Sequence, residues 1–106
     1  MTKKSMLKLD IVVPLYNDEE VVEKLCETVF STLENTFKAV RLIMIDDGSV
    51  DKSYNLALRM RETYDGIEVI KLAGNFGQHR AILAGLRSTS ADLVAVMDSD
   101  LSLIHI

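Results

Sequence analysis

Four short apolar runs separated by three amphipathic segments predict an α/β fold, a Rossmann-like parallel sheet with flanking helices. The runs are Leu9–Val13, Val40–Ile45, Ile67–Leu72 and Ala91–Met97. Each is mainly apolar or β-branched and of strand length. The segments between them are long enough for right-handed crossovers, so the strands are expected to run parallel.

Leu9–Val13 opens the sheet. Asn17 and Asp18 follow with cap-type side chains, and Glu19 and Glu20 suit a first helical turn. Val21, Val22, Leu25, Cys26, Val29, Phe30 and Leu33 then recur at spacings of one, three and four, one apolar helix face ending near Thr36. Val40–Ile45 is the second strand, and residues 46–50 form a loop. Asp51 is placed to cap a helix carrying Tyr54, Ala57, Leu58 and Met60, which Asp65-Gly66 stops. Ile67–Leu72 is the third strand, with a turn at residues 73–77. A third helix over Gln78–Arg87 presents small packing residues, Ala81, Ala84 and Gly85, among Ile82 and Leu86. Ala91–Met97 completes the order β-α-β-α-β-α-β.

The 106 residues make at most one compact domain, and 48% hydrophobic with 26% charged residues is globular composition. A net charge of −4 with no basic stripe argues against a nucleic-acid partner. No apolar stretch approaches the roughly 18 residues of a membrane span, and Met1–Lys8 lacks the apolar core of a secretory signal. One cysteine, Cys26, allows neither an internal disulfide nor a cysteine metal cluster, and it lies on an apolar helix face. A cytoplasmic, reducing compartment is expected.

In a parallel sheet the carboxyl ends of the strands share one edge, where ligands bind at the reversal of strand order. Residues 14–17, 46–49, 74–79 and 98–100 all fall on that edge. Any one of them alone would serve as a turn or cap. Aspartate pairs at two separate strand ends, Asp46-Asp47 and Asp98-Ser99-Asp100, exceed what turns require. A D-x-D pair can hold a divalent cation against a diphosphate. The chain has no G-x-x-x-x-G-K-S/T, and residues 74–77 lack the G-x-G-x-x-G spacing. A phospho-accepting receiver would need an acidic pair after the first strand, where Pro14-Leu15-Tyr16 stands. A ligand site needing carboxylates and a metal is the reading left, and polar, ligand-type residues at three strand ends make a nucleotide-sugar the leading ligand. His79 suits a phosphate contact and a capping or packing role equally. Arg80, Glu19, Glu20 and Glu23 are expected to face solvent, and Lys3, Lys4 and Lys8 are too spread to mark a lipid site.

Four motifs in order resemble glycosyltransferase family 2: Val12–Glu20, Ile45–Ser53, Asn75–Leu86 and Asp98–Leu101. The Asn75–Leu86 stretch is similar to the polyprenyl-phosphate glycosyltransferases, among them dolichol-phosphate mannose synthase, bactoprenol glucosyltransferases and undecaprenyl-phosphate aminoarabinose transferase. The resemblance implies the N-terminal part of a GT-A fold and a nucleotide-sugar donor. Pro14, Tyr16, Asp18, Asp46 and Asp98 would bind that donor. Tyr16 would pack on the base or ribose, and Asp46 would accept a base N–H. Asp98 would lie by the ribose and diphosphate, and Asp100, with Asp98, would ligate Mg²⁺ or Mn²⁺. Transfer would invert the anomeric carbon. An anionic polyprenyl phosphate acceptor would need no protein base, so no catalytic residue is assigned.

The family pattern continues Leu-Gln after the D-x-D pair, whereas here Ser102 stands in the glutamine's place. Residues 101–106 resemble the in-frame translation of a transposon-end sequencing adapter, and a non-native tail is expected there. Residues 1–100 would then be the nucleotide-sugar-binding half of a longer domain, inactive alone. The parent's acceptor site and membrane-associated segments would lie beyond it, at the cytoplasmic face of the membrane. The alternatives are a soluble family 2 enzyme acting on polysaccharide or protein, and a nucleotide-binding fragment without turnover.

Overall fold

A computed structural model describes residues 5–101 and 103–105 of the chain. The elements run β1 (Lys8–Leu15), α1 (Val22–Leu33), β2 (Ala39–Asp46), α2 (Ser53–Thr63), β3 (Ile67–Lys71), α3 (Gln78–Leu86), β4 (Leu93–Met97) and β5 (Leu103–His105). The sheet order is β3-β2-β1-β4-β5. The four strands expected from the apolar runs pair in parallel, and β5 joins antiparallel to β4. The α/β, Rossmann-like class therefore holds.

Strand alternation divides the core between two faces. Ile11, Val13 and Leu15 with Leu42 and Met44 pack against Leu25, Cys26, Val29 and Phe30 of α1 and Ala57 of α2. On the opposite face Val12, Ile43 and Ile45 meet Ala81 of α3. Gly85 lets α3 sit close, because a Cβ there would lie 2.5 Å from Val12 Cγ1 and 2.6 Å from Ile45 Cδ1. Burial pushes the Cys26 thiol up to about 12, which leaves it a core side chain.

A polar lock closes the sheet edge remote from the strand carboxyl ends. Asp10 and Arg41 are register partners on β1 and β2. Arg41 donates to Asp10 from Nε (3.2 Å) and Nη2 (2.9 Å), and its Nη1 reaches Glu68 at 3.0 Å. The N–H groups of Ser90 and Ala91 also donate to Asp10 Oδ2, at 2.9 and 3.2 Å. Burial works against the Asp10 charge, but these donors prevail and hold its carboxyl below the usual aspartate range.

Several boundaries differ from expectation. The fourth strand begins at Leu93 rather than Ala91, because the N–H groups of Ser90 and Ala91 go to Asp10 instead of the ladder. The first helix runs only from Val22 to Leu33, and neither Asn17 nor Asp18 caps it. The buried side of α2 carries Leu56, Ala57 and Met60, while Tyr54 sits under the Lys71 ammonium, 4.7 Å from its ring centroid. Residues 101–106 are expected to be a non-native tail, with a divergent native strand as the alternative, and Leu103–His105 pairs with β4. Ser102, the residue at the family's glutamine position, and Ile106 lie outside the described residues. Among the described residues no helix is long and apolar enough to cross a membrane.

Candidate functional site

After β1 the chain builds β2 and β3 to one side, then crosses to add β4 on the other. The order reverses between β1 and β4, and the crevice that opens beyond such a reversal is where open α/β sheets bind ligands. A cavity of about 340 Å³ lies there, lined by Pro14, Leu15, Tyr16, Asp18, Asp47, Gln78, Asp98, Ser99 and Asp100. Pro14, Tyr16, Asp18, Asp98 and Asp100 were named from the sequence, and the fold brings all five together. Asp46 is not on that wall.

Asp46 ends β2 and is 1% exposed. Its Oδ2 accepts the Ser49 N–H at 3.3 Å, while Oδ1 is the one buried side-chain polar atom without a hydrogen-bond partner among the described residues. Its neighbour Asp47 reaches the cavity instead and binds the β3–α3 turn. Asp47 Oδ1 accepts the Phe76 N–H at 2.8 Å, and Oδ2 accepts the Gly77 N–H at 3.1 Å. Strand alternation carried one period, two residues, past Ile45 would have pointed to Asp47, which continues the α3-facing series of Ile43 and Ile45. Gln78 falls in the 74–79 stretch expected at the ligand edge, but it was given no role of its own, and the structure places it on the cavity wall.

The loop after β1 is clasped to the loop after β2. Asn17 N–H donates to Ser49 Oγ (2.9 Å), Asp18 N–H to Ser53 Oγ (2.7 Å) and Glu19 N–H to Asp51 Oδ2 (3.1 Å). In return the Val50 N–H donates to Asn17 Oδ1 at 2.9 Å. Asn17 takes a positive φ of 52°, a conformation Asn tolerates better than most residues. These bonds explain why Asn17 and Asp18 do not cap α1: Asn17 serves the clasp, and Asp18 Oδ2 accepts the Tyr16 N–H at 2.8 Å. Asp51 accepts the Ser53 N–H (2.9 Å) and hydroxyl (2.6 Å), so it supports the start of α2 as expected, from one residue before the cap. Burial opposes its charge, yet the Ser53 hydroxyl and the Ser53 and Glu19 N–H groups hold its carboxyl below the ordinary range.

Tyr16 is 46% exposed, a ring half in solvent at the mouth of the cavity. The cavity walls carry four aspartates and neither lysine nor arginine. An anionic diphosphate would meet only repulsion there unless a cation came with it. Carboxylate oxygens suit Mg²⁺ or Mn²⁺. Among the described residues no group of three or more His, Cys, Asp or Glu is arranged to hold a metal ion. His79 and Arg80 are exposed and lie off this cavity.

The family model described as glycosyl transferase family 2 matches residues 10–104. The chain belongs to this family. It is 35% identical over 102 residues to an undecaprenyl-phosphate 4-deoxy-4-formamido-L-arabinose transferase from Photorhabdus laumondii, covering 95% of this chain and 31% of that protein. The transferase of the same name from Salmonella choleraesuis is 38% identical over 95 residues, or 89% of this chain and 29% of the relative. The chain thus spans under a third of the length of these relatives. In fold it is similar to the mannosyltransferase PcManGT from Pyrobaculum calidifontis, solved with GDP-Man and Mn²⁺. That match has a TM-score of 0.79 at 18% identity over 90% of this chain and 28% of that one. Residues 1–349 of TarS from S. aureus, in complex with UDP, match with a TM-score of 0.75 at 23% identity, over 88% of this chain and 27% of that one. As a family 2 chain with these neighbours, the sheet is the N-terminal part of a GT-A fold.

Proposed function

We propose that residues 1–100 form the donor-binding half of a glycosyltransferase, holding a nucleotide-diphospho-sugar together with Mg²⁺ or Mn²⁺. The full-length protein would pass the sugar, with inversion, to polyprenyl phosphate at the cytoplasmic face of the membrane. The observation that carries this reading is the convergence of Pro14, Tyr16, Asp18, Asp98 and Asp100 on one cavity at the strand-order reversal. Tyr16 offers a ring for stacking on base or ribose. Asp46, named for the base N–H, keeps Oδ1 without a donor among the described residues, although its neighbour Asp47 and not Asp46 stands on the cavity wall. Asp98 and Asp100 would hold the cation against the diphosphate. When bound, that cation neutralises the charge of the leaving nucleoside diphosphate, a contribution of several kcal/mol to the barrier. The names of the curated relatives support polyprenyl phosphate as the acceptor class.

Calorimetry with UDP and GDP, with and without Mn²⁺, tests the donor half on the 106-residue chain. Binding of one nucleotide that requires Mn²⁺ and disappears in Asp100→Ala is the expected result. Equal binding without metal, or none of either nucleotide, would overturn the donor reading. The acceptor is tested on the full-length protein, by transfer of labelled sugar to polyprenyl phosphate in vesicles. Transfer to a soluble glycan and not to the lipid would refute it.

A further inference from the structure

The β3–α3 turn is fixed from beneath by the loop after β2. Asp47, 4% exposed, accepts both the Phe76 and Gly77 N–H groups, and charge-assisted bonds of this kind are among the stronger ones. Gly48 presses on the same turn, since a Cβ there would lie 2.6 Å from the Asn75 nitrogen. Gly77 takes φ +95°, and a Cβ on it would meet nothing within 4 Å, so only its backbone angle calls for glycine. That angle launches α3, and its first residue, Gln78, is aimed across the cavity. Gln78 Nε2 donates to Asp98 Oδ1 at 3.3 Å.

We propose that Gln78 is a positioning residue for Asp98, held in place by the turn that Asp47 clamps. This rests on the donor reading above and extends it. A carboxylate at a strand end can present either oxygen to a cation. With the amide on Oδ1, rotation is restricted and the other oxygen is the one offered. An amide suits the task chemically. Lysine or arginine at this position would orient Asp98 but also cancel the charge that draws the metal, whereas glutamine donates without neutralising. Partners behind a metal-facing carboxylate commonly matter 10- to 100-fold to metal affinity, and a 3.3 Å bond at an exposed amide belongs at the low end.

The test is a titration of the ¹⁵N-labelled 106-residue chain with Mn²⁺ alone, following paramagnetic broadening at Asp98, Ser99, Asp100 and the Gln78 side-chain amide. Gln78→Met keeps the length of the side chain and removes the donor. It is expected to weaken Mn²⁺ binding about 10-fold with an unchanged Tm. Gly77→Ala adds no clash but strains the backbone that launches α3, so it should weaken Mn²⁺ binding in the same direction by more than its lowered Tm accounts for. Unchanged Mn²⁺ affinity in folded Gln78→Met would overturn the proposal, as would a loss that merely follows a lowered Tm. UDP and GDP added afterwards separate the two readings. If wild type binds Mn²⁺ at these residues but neither nucleotide, the donor reading falls, and the role of Gln78 is decided by the Mn²⁺ data alone. If wild type binds no Mn²⁺, both fall.

Discussion

Replacing Asp10 by alanine is expected to cost about 2–3 kcal/mol of folding free energy, far more than a typical change of one strand residue. The Asp10 side chain is 5% exposed and accepts four hydrogen bonds, two from Arg41 and two from the N–H groups of Ser90 and Ala91. Removing one partner of a buried ion pair commonly costs 3–5 kcal/mol, because the remaining charge is stranded. Arg41 would be only partly stranded: its side chain is 33% exposed and keeps Glu68 at 3.0 Å. That relief brings the figure to about 2–3 kcal/mol, roughly a 30- to 150-fold drop in the folding constant. Urea unfolding followed by far-UV circular dichroism measures it, since the chain has no tryptophan. The pH dependence gives a second check. The folded Asp10 carboxyl lies below its ordinary value of 3.8, so its contribution is complete well above that value and is lost as pH falls through the lower, folded one. The gap between wild type and Asp10→Ala should therefore be flat from neutral pH to about 5 and close in stronger acid. A gap below about 0.5 kcal/mol at neutral pH, or one that widens with acid, would refute a structural role for the lock.

Gly85→Ala should destabilise by about 1 kcal/mol, because overpacking against Val12 and Ile45 outweighs the gain in helix propensity, and Val12→Ala in the same chain should restore part of the loss. Denaturation midpoints of the two single variants and the double would show simple additivity if no contact exists. Cys26, with its thiol pushed up to about 12, should react with a disulfide reagent at pH 8 only as fast as the protein unfolds; rapid labelling of folded protein would contradict its burial. In the full-length protein Asp100→Ala should abolish nearly all sugar transfer while Cys26→Ala retains it, measured with labelled donor; equal loss in both would remove the metal role from Asp100. The 106-residue chain alone should show little transfer, since orienting donor against acceptor can supply about 7–11 kcal/mol of a barrier and half a site does not provide it. Turnover at the rate of a full-length relative would contradict the division of the site.

The sheet was legible because its strands are mainly apolar, and the unbroken stretches Ile11 to Val13 and Leu42 to Ile45 leave no competing period. The cavity edge was legible because Pro14, Tyr16, Asp18, Asp98 and Asp100 follow strands directly, so chain topology alone delivers them to one place. What escaped notice depends on partners distant in sequence. Asn17 looks like a helix cap until Ser49 and Val50, more than thirty residues away, engage it. Asp10 sits in an apolar run and gives no hint of Arg41 and Ser90 until register brings them together. Asp46 and Asp47 are identical in chemistry, and the exact end of β2 decides which of them reaches the cavity. Gln78 is ordinary helix sequence until β4 places Asp98 opposite it.

The strand order has a consequence for synthesis on the ribosome. β1 pairs on one side with β2, which follows soon after it, but its other neighbour is β4, whose first residue, Leu93, emerges 78 residues after Leu15. At 5–20 residues per second that interval is roughly 4–16 s. Throughout it a strand containing Ile11, Val12 and Val13, all fully buried in the finished fold, has one open hydrogen-bonding edge. β1 is thus the sticky seam of the nascent chain, and Leu93–Met97 is the piece that seals it.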